Sequence, residues 1–433
     1  MRKCRDKSKF CFLLSIIVAI SMPVFANGKD GIKSDDIVAL CGDSITENKS
    51  YTAFIETYFA VCHEEGPIHT AQFGWGGDCM RALWGRGGPR PILSVKPTVV
   101  TTLYGMNDGY YAPLTEATAS EYRNGLTRLV GEFASNGVRM VIVSSPGAVD
   151  TKWFRNDANK ATMYNQTLAG LRDVAKQVAD ENGCVFANAH DLMIDVMAKA
   201  KKKYGDKYPV AGTDGVHPHA NGGLIIAYVF LRAMGCNGNI GAITHDLKRG
   251  ISTASAGHKI LSSKAGEVTV ESSRYPFCFS GKPDDPAATS GIIEFFPFNE
   301  DLNRLTLKVT GAPGQSDTRV RVYWGNTNKV FSSAALEKGV NLADEYHDNP
   351  FRERFAHIQA EVLKKQTWER LFYHSYLSGL PALQKEILEV NAELADKLNR
   401  LTPALVKRQA RCASSLATNI VPVIHTIRLE IDK

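Results

Sequence analysis

The sequence predicts an α/β protein: a doubly wound five-stranded parallel sheet, then a smaller β-rich region with a helical-hairpin insertion. Three observations predict it. Between Asn27 and Asn239, short apolar runs alternate with stretches whose apolar residues recur at helical spacing. From about Ile243, short β-type runs are separated by Gly, Pro, Asp and Asn turns. From Phe351 to Leu401 the pattern is strongly helical, and the chain closes on alternating apolar and polar residues from Val423 to Ile431.

The chain begins with Arg2, Lys3, Arg5, Lys7 and Lys9, then an apolar core from Phe10 to Ile20 and a small-residue cleavage site at Val24-Phe25-Ala26. This is the pattern of a signal peptide over residues 1–26. Export to a periplasmic or extracellular location is expected, with a mature chain from about Asn27. No later run is long enough for a transmembrane helix. Strands are expected at Ile37–Cys41, Ile68–Phe73, Thr98–Tyr104, Arg139–Ser144 and Cys184–Ala187. Between and after them, helices are expected at Tyr51–His63, Glu116–Ser135, Asp157–Asn182, Asp191–Tyr204 and Ala220–Met234. Alternating β and α with short connections implies parallel strands with helices on both faces.

The domain boundary is expected in the Gly- and Asn-rich stretch Gly235–Gly241, dividing a catalytic domain, 27–239, from a C-terminal region, 240–433. In that region Glu267–Glu271, Ile292–Phe296, Leu305–Val309 and Val320–Trp324 read as strands of a small antiparallel sheet or sandwich. The helices, about 340–417, read as an insertion into it. Glu361, Lys364, Lys365 and Glu369 read as a solvated helix face. Tyr275, Phe277, Phe279, Phe295, Phe296, Phe298 and Trp324 read as a small core or, alternatively, a glycan-binding face.

The formal net charge of +6 includes five basic residues and one acidic residue of the leader, so the mature chain carries +2. Such a balance gives no footprint for nucleic acid or a polybasic membrane contact. Seven cysteines lie beyond the leader, scattered and without a C-x-x-C pair. That is no disulfide framework, although one or two pairs are compatible with export.

Four short stretches carry chemistry. Gly42-Asp43-Ser44 ends the first strand and places a hydroxyl at the carboxyl edge of the sheet, where open α/β sheets bind ligands. Gly74-Trp75-Gly76-Gly77-Asp78 follows the second strand, and its glycines let backbone N–H groups approach a ligand closely. Gly105-Met106-Asn107-Asp108 follows the third, and the Asn107 amide can donate to a developing oxyanion. Asp214-Gly215-Val216-His217 precedes the last helix; a carboxylate beside an imidazole fixes its tautomer. Together these supply a nucleophile in Ser44, a base in His217, an orienting carboxylate in Asp214, and oxyanion donors from Ser44 N–H, a glycine N–H and Asn107. That inventory suits acyl transfer through a tetrahedral intermediate. There is no G-x-S-x-G, H-E-x-x-H, Walker loop or G-x-G-x-x-G, and no metal or organic cofactor is implied.

The four blocks in this order resemble the SGNH, or GDSL-type, hydrolase family over roughly residues 35–235. The resemblance implies a flavodoxin-like strand order, attack by Ser44, proton uptake by His217 and orientation by Asp214. It places the oxyanion glycine at Gly77, which precedes the acidic residue, and makes Asp43 a brace of its own loop. Two positions depart from the family pattern: Gly76 stands for its usual Ser, and Cys79 for a hydroxyl residue. Aromatics gather at the expected rim: Trp75, Trp84, Tyr104, Tyr110, Tyr111 and Trp153. With Gly76, the residues Trp75, Tyr110, Tyr111 and Trp153 are the substrate-binding candidates. Flat aromatic faces and export favour a small acyl ester, acetyl above all, on a carbohydrate, small or polymeric. A lipase, lysophospholipase or thioesterase of the same family, an acyltransferase, and a glycan-binding protein are the alternatives.

Overall fold

A computed structural model describes residues 31–64, 66–313, 318–377 and 386–432. The leader assigned to 1–26 lies outside them. Five strands, β1 (Ile37–Gly42), β2 (His69–Gly74), β3 (Val99–Leu103), β4 (Met140–Ser144) and β5 (Val185–Ala187), form one all-parallel sheet in the order β2-β1-β3-β4-β5. The chain runs from β1 to β2 on one side and then crosses to β3 on the other. The carboxyl end of β1 is therefore the topological switch point, where such sheets open a crevice.

Side chains of β1 alternate between two cores. Val38 and Leu40 pack with Ile55, Tyr58, Met197 and Leu224 on one face; Ala39 and Cys41 pack with Tyr122, Leu126 and Leu171 on the other. Burial on both faces is why these strands are nearly continuous apolar runs. The flanking helices include Thr52–Val61, Glu116–Ser135, Ala158–Glu181, Ala189–Tyr204 and Ala220–Ala233.

Among the described residues nine further strands follow: β6 (Asn239–Asp246), β7 (Ile251–Ala254), β8 (His258–Lys264), β9 (Glu267–Ser272), β10 (Arg304–Thr310), β11 (Arg319–Trp324), β12 (Thr327–Ser332), β13 (Val340–Asn341) and β14 (Val423–Ile431). They form two sheets, β13-β10-β6-β7 and β12-β11-β14-β9-β8. The expected antiparallel pairing holds except that β10 and β6 are parallel. The segment Ile292–Phe296 is not a strand. Its centre is a short 3-10 turn, Ile293–Phe295, whose aromatic neighbours pack on the first domain: Phe295 against Tyr204 and Phe296 against Tyr228, ring centroids 6.1 and 5.2 Å apart. Tyr275, Phe277, Phe279, Phe296, Phe298 and Trp324 are all buried. These rings form core, not a glycan-binding face. The seven cysteines among the described residues are free thiols. No helix of the described residues is long and apolar enough to cross a membrane.

The chain reaches β14 through a helical arm. Its first helix, Arg352–Glu369, continues into a π-helical segment, Arg370–Leu377; its last is Ala392–Asn419. The expected helix from Leu380 falls partly outside the described residues. The arm packs along Thr52–Val61 and the open edge of β2. Lys365 and Glu369, expected to face solvent, are instead buried. Lys365 Nζ meets Glu56 Oε1 at 2.8 Å and Glu369 Oε1 at 2.6 Å, and donates to the Thr70 carbonyl at 2.9 Å. Glu369 Oε2 accepts from the Gln72 amide at 3.2 Å. An edge strand exposes unpaired backbone groups; here the arm's charged side chains satisfy them. Lys364 and Glu361 stay paired on the outer side of that helix.

Removing one partner from a buried ion pair leaves an uncompensated charge, at a cost of about 3–5 kcal/mol. Lys365→Met, which strands Glu56 and Glu369, is expected to lower folding stability by about that amount in urea titrations. Lys364→Met, on the solvent side, is expected to change it by less than about 0.5 kcal/mol.

Candidate active site

The active-site geometry starts from a tight turn. Gly42 ends β1 where a Cβ would lie 2.1 Å from Thr46 Oγ1 and 2.7 Å from the Leu103 carbonyl, so no side chain fits. Asp43 then caps the short helix Ser44–Glu47, its Oδ1 accepting from Ile45 N at 2.9 Å. The cap fixes the backbone that presents Ser44 at the sheet's carboxyl edge.

Ser44 Oγ lies 2.8 Å from His217 Nε2, and His217 Nδ1 lies 2.5 Å from Asp214 Oδ2. A carboxylate only accepts, so Nδ1 carries the proton and Nε2 accepts from the hydroxyl. Asp214 Oδ1 also accepts from Val216 N and His217 N, each at 2.9 Å. Burial pushes the Asp214 carboxyl up, but these donors outweigh it and hold it below the usual carboxylate range. The loop turns at Gly215, which has φ +81° and whose carbonyl accepts from Asp150 N at 2.9 Å. A Cβ there would lie 2.3 Å from Phe154 N.

The oxyanion candidates lie on the loops that follow β2 and β3. The Trp75 amide donates to the Gly42 carbonyl at 3.0 Å, tying the glycine loop to the Ser44 turn. Gly77 is exposed, with φ +73°. Gly76 faces Glu47: a Cβ would lie 2.6 Å from Glu47 Oε2, the mobile end of that side chain. Cys79 takes the capping role of the absent hydroxyl, its sulfur accepting from Ala82 N at 3.5 Å. Asn107 Nδ2 donates one N–H to the Asp78 carbonyl at 2.9 Å, leaving its second donor for a ligand.

Asp43, Asp78 and Asp108 form a buried acidic frame beneath these loops. Asp108 accepts from Met80 N at 2.8 Å and Gly105 N at 2.9 Å, joining the second and third blocks. Asp78 pairs with Arg86 at 2.7 Å. Burial first, and the neighbouring carboxylates second, push Asp43 up to about 8 and Asp108 to about 7 against their hydrogen-bond donors.

Several rim aromatics serve the scaffold. Tyr111 donates to Asn107 Oδ1 at 3.0 Å and stacks on Tyr164, centroids 4.9 Å apart, so it orients the Asn107 amide. Tyr110 and Tyr111 both adopt left-handed backbone, φ +51° and +56°, beside Asn107. Trp153 donates to the Lys207 carbonyl at 2.9 Å, Trp84 donates to the Gly125 carbonyl at 3.0 Å, and Tyr104 is buried. Trp75 is stacked by His374 at 3.5 Å, with the Arg86 guanidinium 4.1 Å from its ring centroid. Its ring is packed within the protein and does not stand free as a sugar platform. Of the substrate-binding candidates, Tyr110 is the large exposed one, its hydroxyl bonded to Glu121.

Two supports had no signal in the sequence. Asp150 is fully buried, paired with Lys201 at 2.5 Å, and accepts from Lys152 N, Trp153 N and Val210 N. It binds the loop after β4 to the segment leading into Asp214; only its place beyond a strand end hinted at a role. The helical arm also reaches the site. Arg370 pairs with Glu47 of the short helix Ser44–Glu47, and His374 covers Trp75 of the glycine loop.

Residues 40–223 match the GDSL-like Lipase/Acylhydrolase family. That segment belongs to the SGNH, or GDSL-type, hydrolase family. The protein is accordingly a carboxylic ester hydrolase. An acetylxylan esterase of Geobacillus stearothermophilus is 26% identical to this hydrolase over 226 residues, spanning 47% of this chain and 96% of its own. The solved structure of a gut microbial diltiazem-metabolizing enzyme is similar with a TM-score of 0.70 at 21% identity, covering 93% of this chain and 98% of its own. That likeness is one of fold, and it takes in the C-terminal sheets as well as the hydrolase domain.

The Asp43 shift has a consequence for stability. The folded hydrolase keeps a proton that the unfolded chain releases near pH 4, so this group's contribution falls as pH rises toward about 8. Asn at 43 keeps the cap without titrating. In urea titrations from pH 6 to pH 8, wild type is expected to lose roughly 1–2 kcal/mol relative to Asp43→Asn. A pH-independent difference between the two would contradict the shift.

Proposed function

We propose that this chain is an exported serine esterase that hydrolyses small acyl esters, acetyl above all, on carbohydrate. The observation that carries the proposal is the unbroken relay from Ser44 Oγ through His217 to Asp214, at 2.8 and 2.5 Å. In this reading Ser44 Oγ attacks the ester carbonyl while its proton passes to His217 Nε2. Asp214 steadies the imidazolium through Nδ1–H. The carbonyl oxygen becomes an oxyanion held by Ser44 N–H, Gly77 N–H and the free Asn107 N–H. Collapse breaks the bond to the alcohol oxygen, which takes the proton from Nε2 and leaves an acyl-Ser44. Water then gives its proton to His217, attacks the acyl carbon, and a second collapse returns the proton to Ser44 and releases the acid.

Acetyl and carbohydrate are favoured by the likeness to an acetylxylan esterase. Export is favoured by the basic-then-apolar leader pattern of residues 1–26. A panel of acyl esters tests the reading. Acetylated xylo-oligosaccharides are expected to be cleaved well ahead of long-chain acyl esters. Ser44→Ala is expected to abolish turnover, and Asn107→Ala to lower kcat by about 10²–10³ with a smaller change in KM. A preference for long acyl chains, or full activity in Ser44→Ala, would refute it.

A further inference from the structure

Two carboxylates border the glycine loop that carries Gly77. Asp78 follows that glycine and is matched by Arg86 at 2.7 Å. Glu47 comes from the end of the short helix Ser44–Glu47, which packs directly on the loop. A Cβ on Gly74 would lie 2.1 Å from Glu47 N, and a Cβ on Gly76 would lie 2.6 Å from Glu47 Oε2. The Glu47 carboxylate therefore stands beside the peptide that joins Gly76 to Gly77, whose N–H is a candidate oxyanion donor. Its side chain is only 14% exposed, so salt and water screen it little. In the esterase reading the ester carbonyl oxygen gains negative charge at that N–H. A carboxylate so close, left unmatched, would repel it.

The matching cation comes from the helical arm. Arg370 Nε donates to Glu47 Oε1, and His374 Nε2 lies 3.9 Å from the same oxygen. Burial holds the His374 imidazole below its ordinary range; Glu47 pulls the other way, but Arg370 and Arg86 add to the depression. At neutral pH His374 therefore brings little charge. Lys49 also feels Glu47, yet its Nζ donates to the Glu47 main-chain carbonyl, at 3.1 Å, and not to the carboxylate. Among the described residues, Arg370 is thus the permanent cation in contact with this carboxylate. Neither Arg370 nor His374 lines the cleft bordered by His217 and Asp214. Any effect of the arm on the reaction runs through the residues it touches.

We propose that Arg370 is a positioning residue for ester hydrolysis: by pairing with Glu47 it cancels a carboxylate beside the oxyanion loop, so that the C-terminal arm helps set the rate of the hydrolase domain. The inference rests on the esterase reading of Ser44 and on Gly77 as an oxyanion donor. It gives the arm a part in turnover that packing alone would not require.

The test measures kcat and KM for phenyl acetate with the full chain, in wild type and three variants whose folding is checked by urea titration. The Arg370 side chain is 51% exposed, so the variants are expected to fold. Arg370→Gln leaves Glu47 unmatched and is expected to lower kcat by about 10- to 30-fold, with KM changed less than about 2-fold. Arg370→Lys keeps the charge and is expected to stay within about 3-fold of wild type. The double variant Glu47→Gln/Arg370→Gln removes both charges and is expected to recover kcat to within about 3-fold of wild type. Wild-type kcat in Arg370→Gln overturns the inference alone. So does a double variant as slow as Arg370→Gln, which marks a contact needed for shape and not for charge. Failure of wild type to hydrolyse any ester, phenyl acetate included, overturns the esterase reading itself.

Discussion

The contact between Ser44 Oγ and His217 Nε2 joins residues 173 positions apart at 2.8 Å. A hydrogen bond of that length tolerates little error in the elements that carry it. The parallel sheet meets this demand by bringing the carboxyl ends of β1, β2 and β3 together at the switch point, with the His217 loop beside them. Gly42 admits the close approach of Thr46 and Leu103, Asp43 caps the Ser44 turn, and Asp108 bonds two of the facing loops together. Much of what surrounds Ser44 is framework for that single contact.

The C-terminal region extends the framework. Its arm seals the β2 edge through Lys365 and Glu369, then sends Arg370 to Glu47 and His374 onto Trp75. The inner hydrogen bonds continue the link: the Gln72 amide meets Glu369, and the Gln72 side chain donates to the Thr46 carbonyl at 2.5 Å, two residues from Ser44. The arm thus touches both the Ser44–Glu47 helix and the glycine loop. Buried charge at this interface specifies one docking position, because any shift would strand Lys365 or Glu369 without a partner.

The first sheet was legible because strands buried on both faces write themselves as unbroken apolar runs. Ile37–Cys41 and Arg139–Ser144 are such runs, and the observed strands differ from them by one residue. The strands β7, β8 and β12 were not legible, because they are half exposed and rich in Ser, Lys, Thr and Asn. The segment Ile292–Phe296 had β-type composition, yet its side chains are spent on the neighbouring domain's helices and it pairs with no strand among the described residues. In the candidate site, Ser44 and Asn107 were readable from local motifs at strand ends, and Asp214 and His217 from a motif in the loop before a helix. Tyr111, Asp150 and His374 act through partners distant in the chain, and no local pattern announces such contacts. Lys365 and Glu369 looked solvated for the same reason: charge spacing on a helix does not reveal what the helix lies against.

An activated nucleophile at Ser44 reveals itself in its covalent chemistry. The full chain would be treated with a fluorophosphonate and the adduct mapped by peptide mass spectrometry. A single stoichiometric phosphonyl adduct on Ser44 is expected, formed more slowly by about 100-fold or more in His217→Ala. Labelling at another serine, or equal rates in the two proteins, would contradict it.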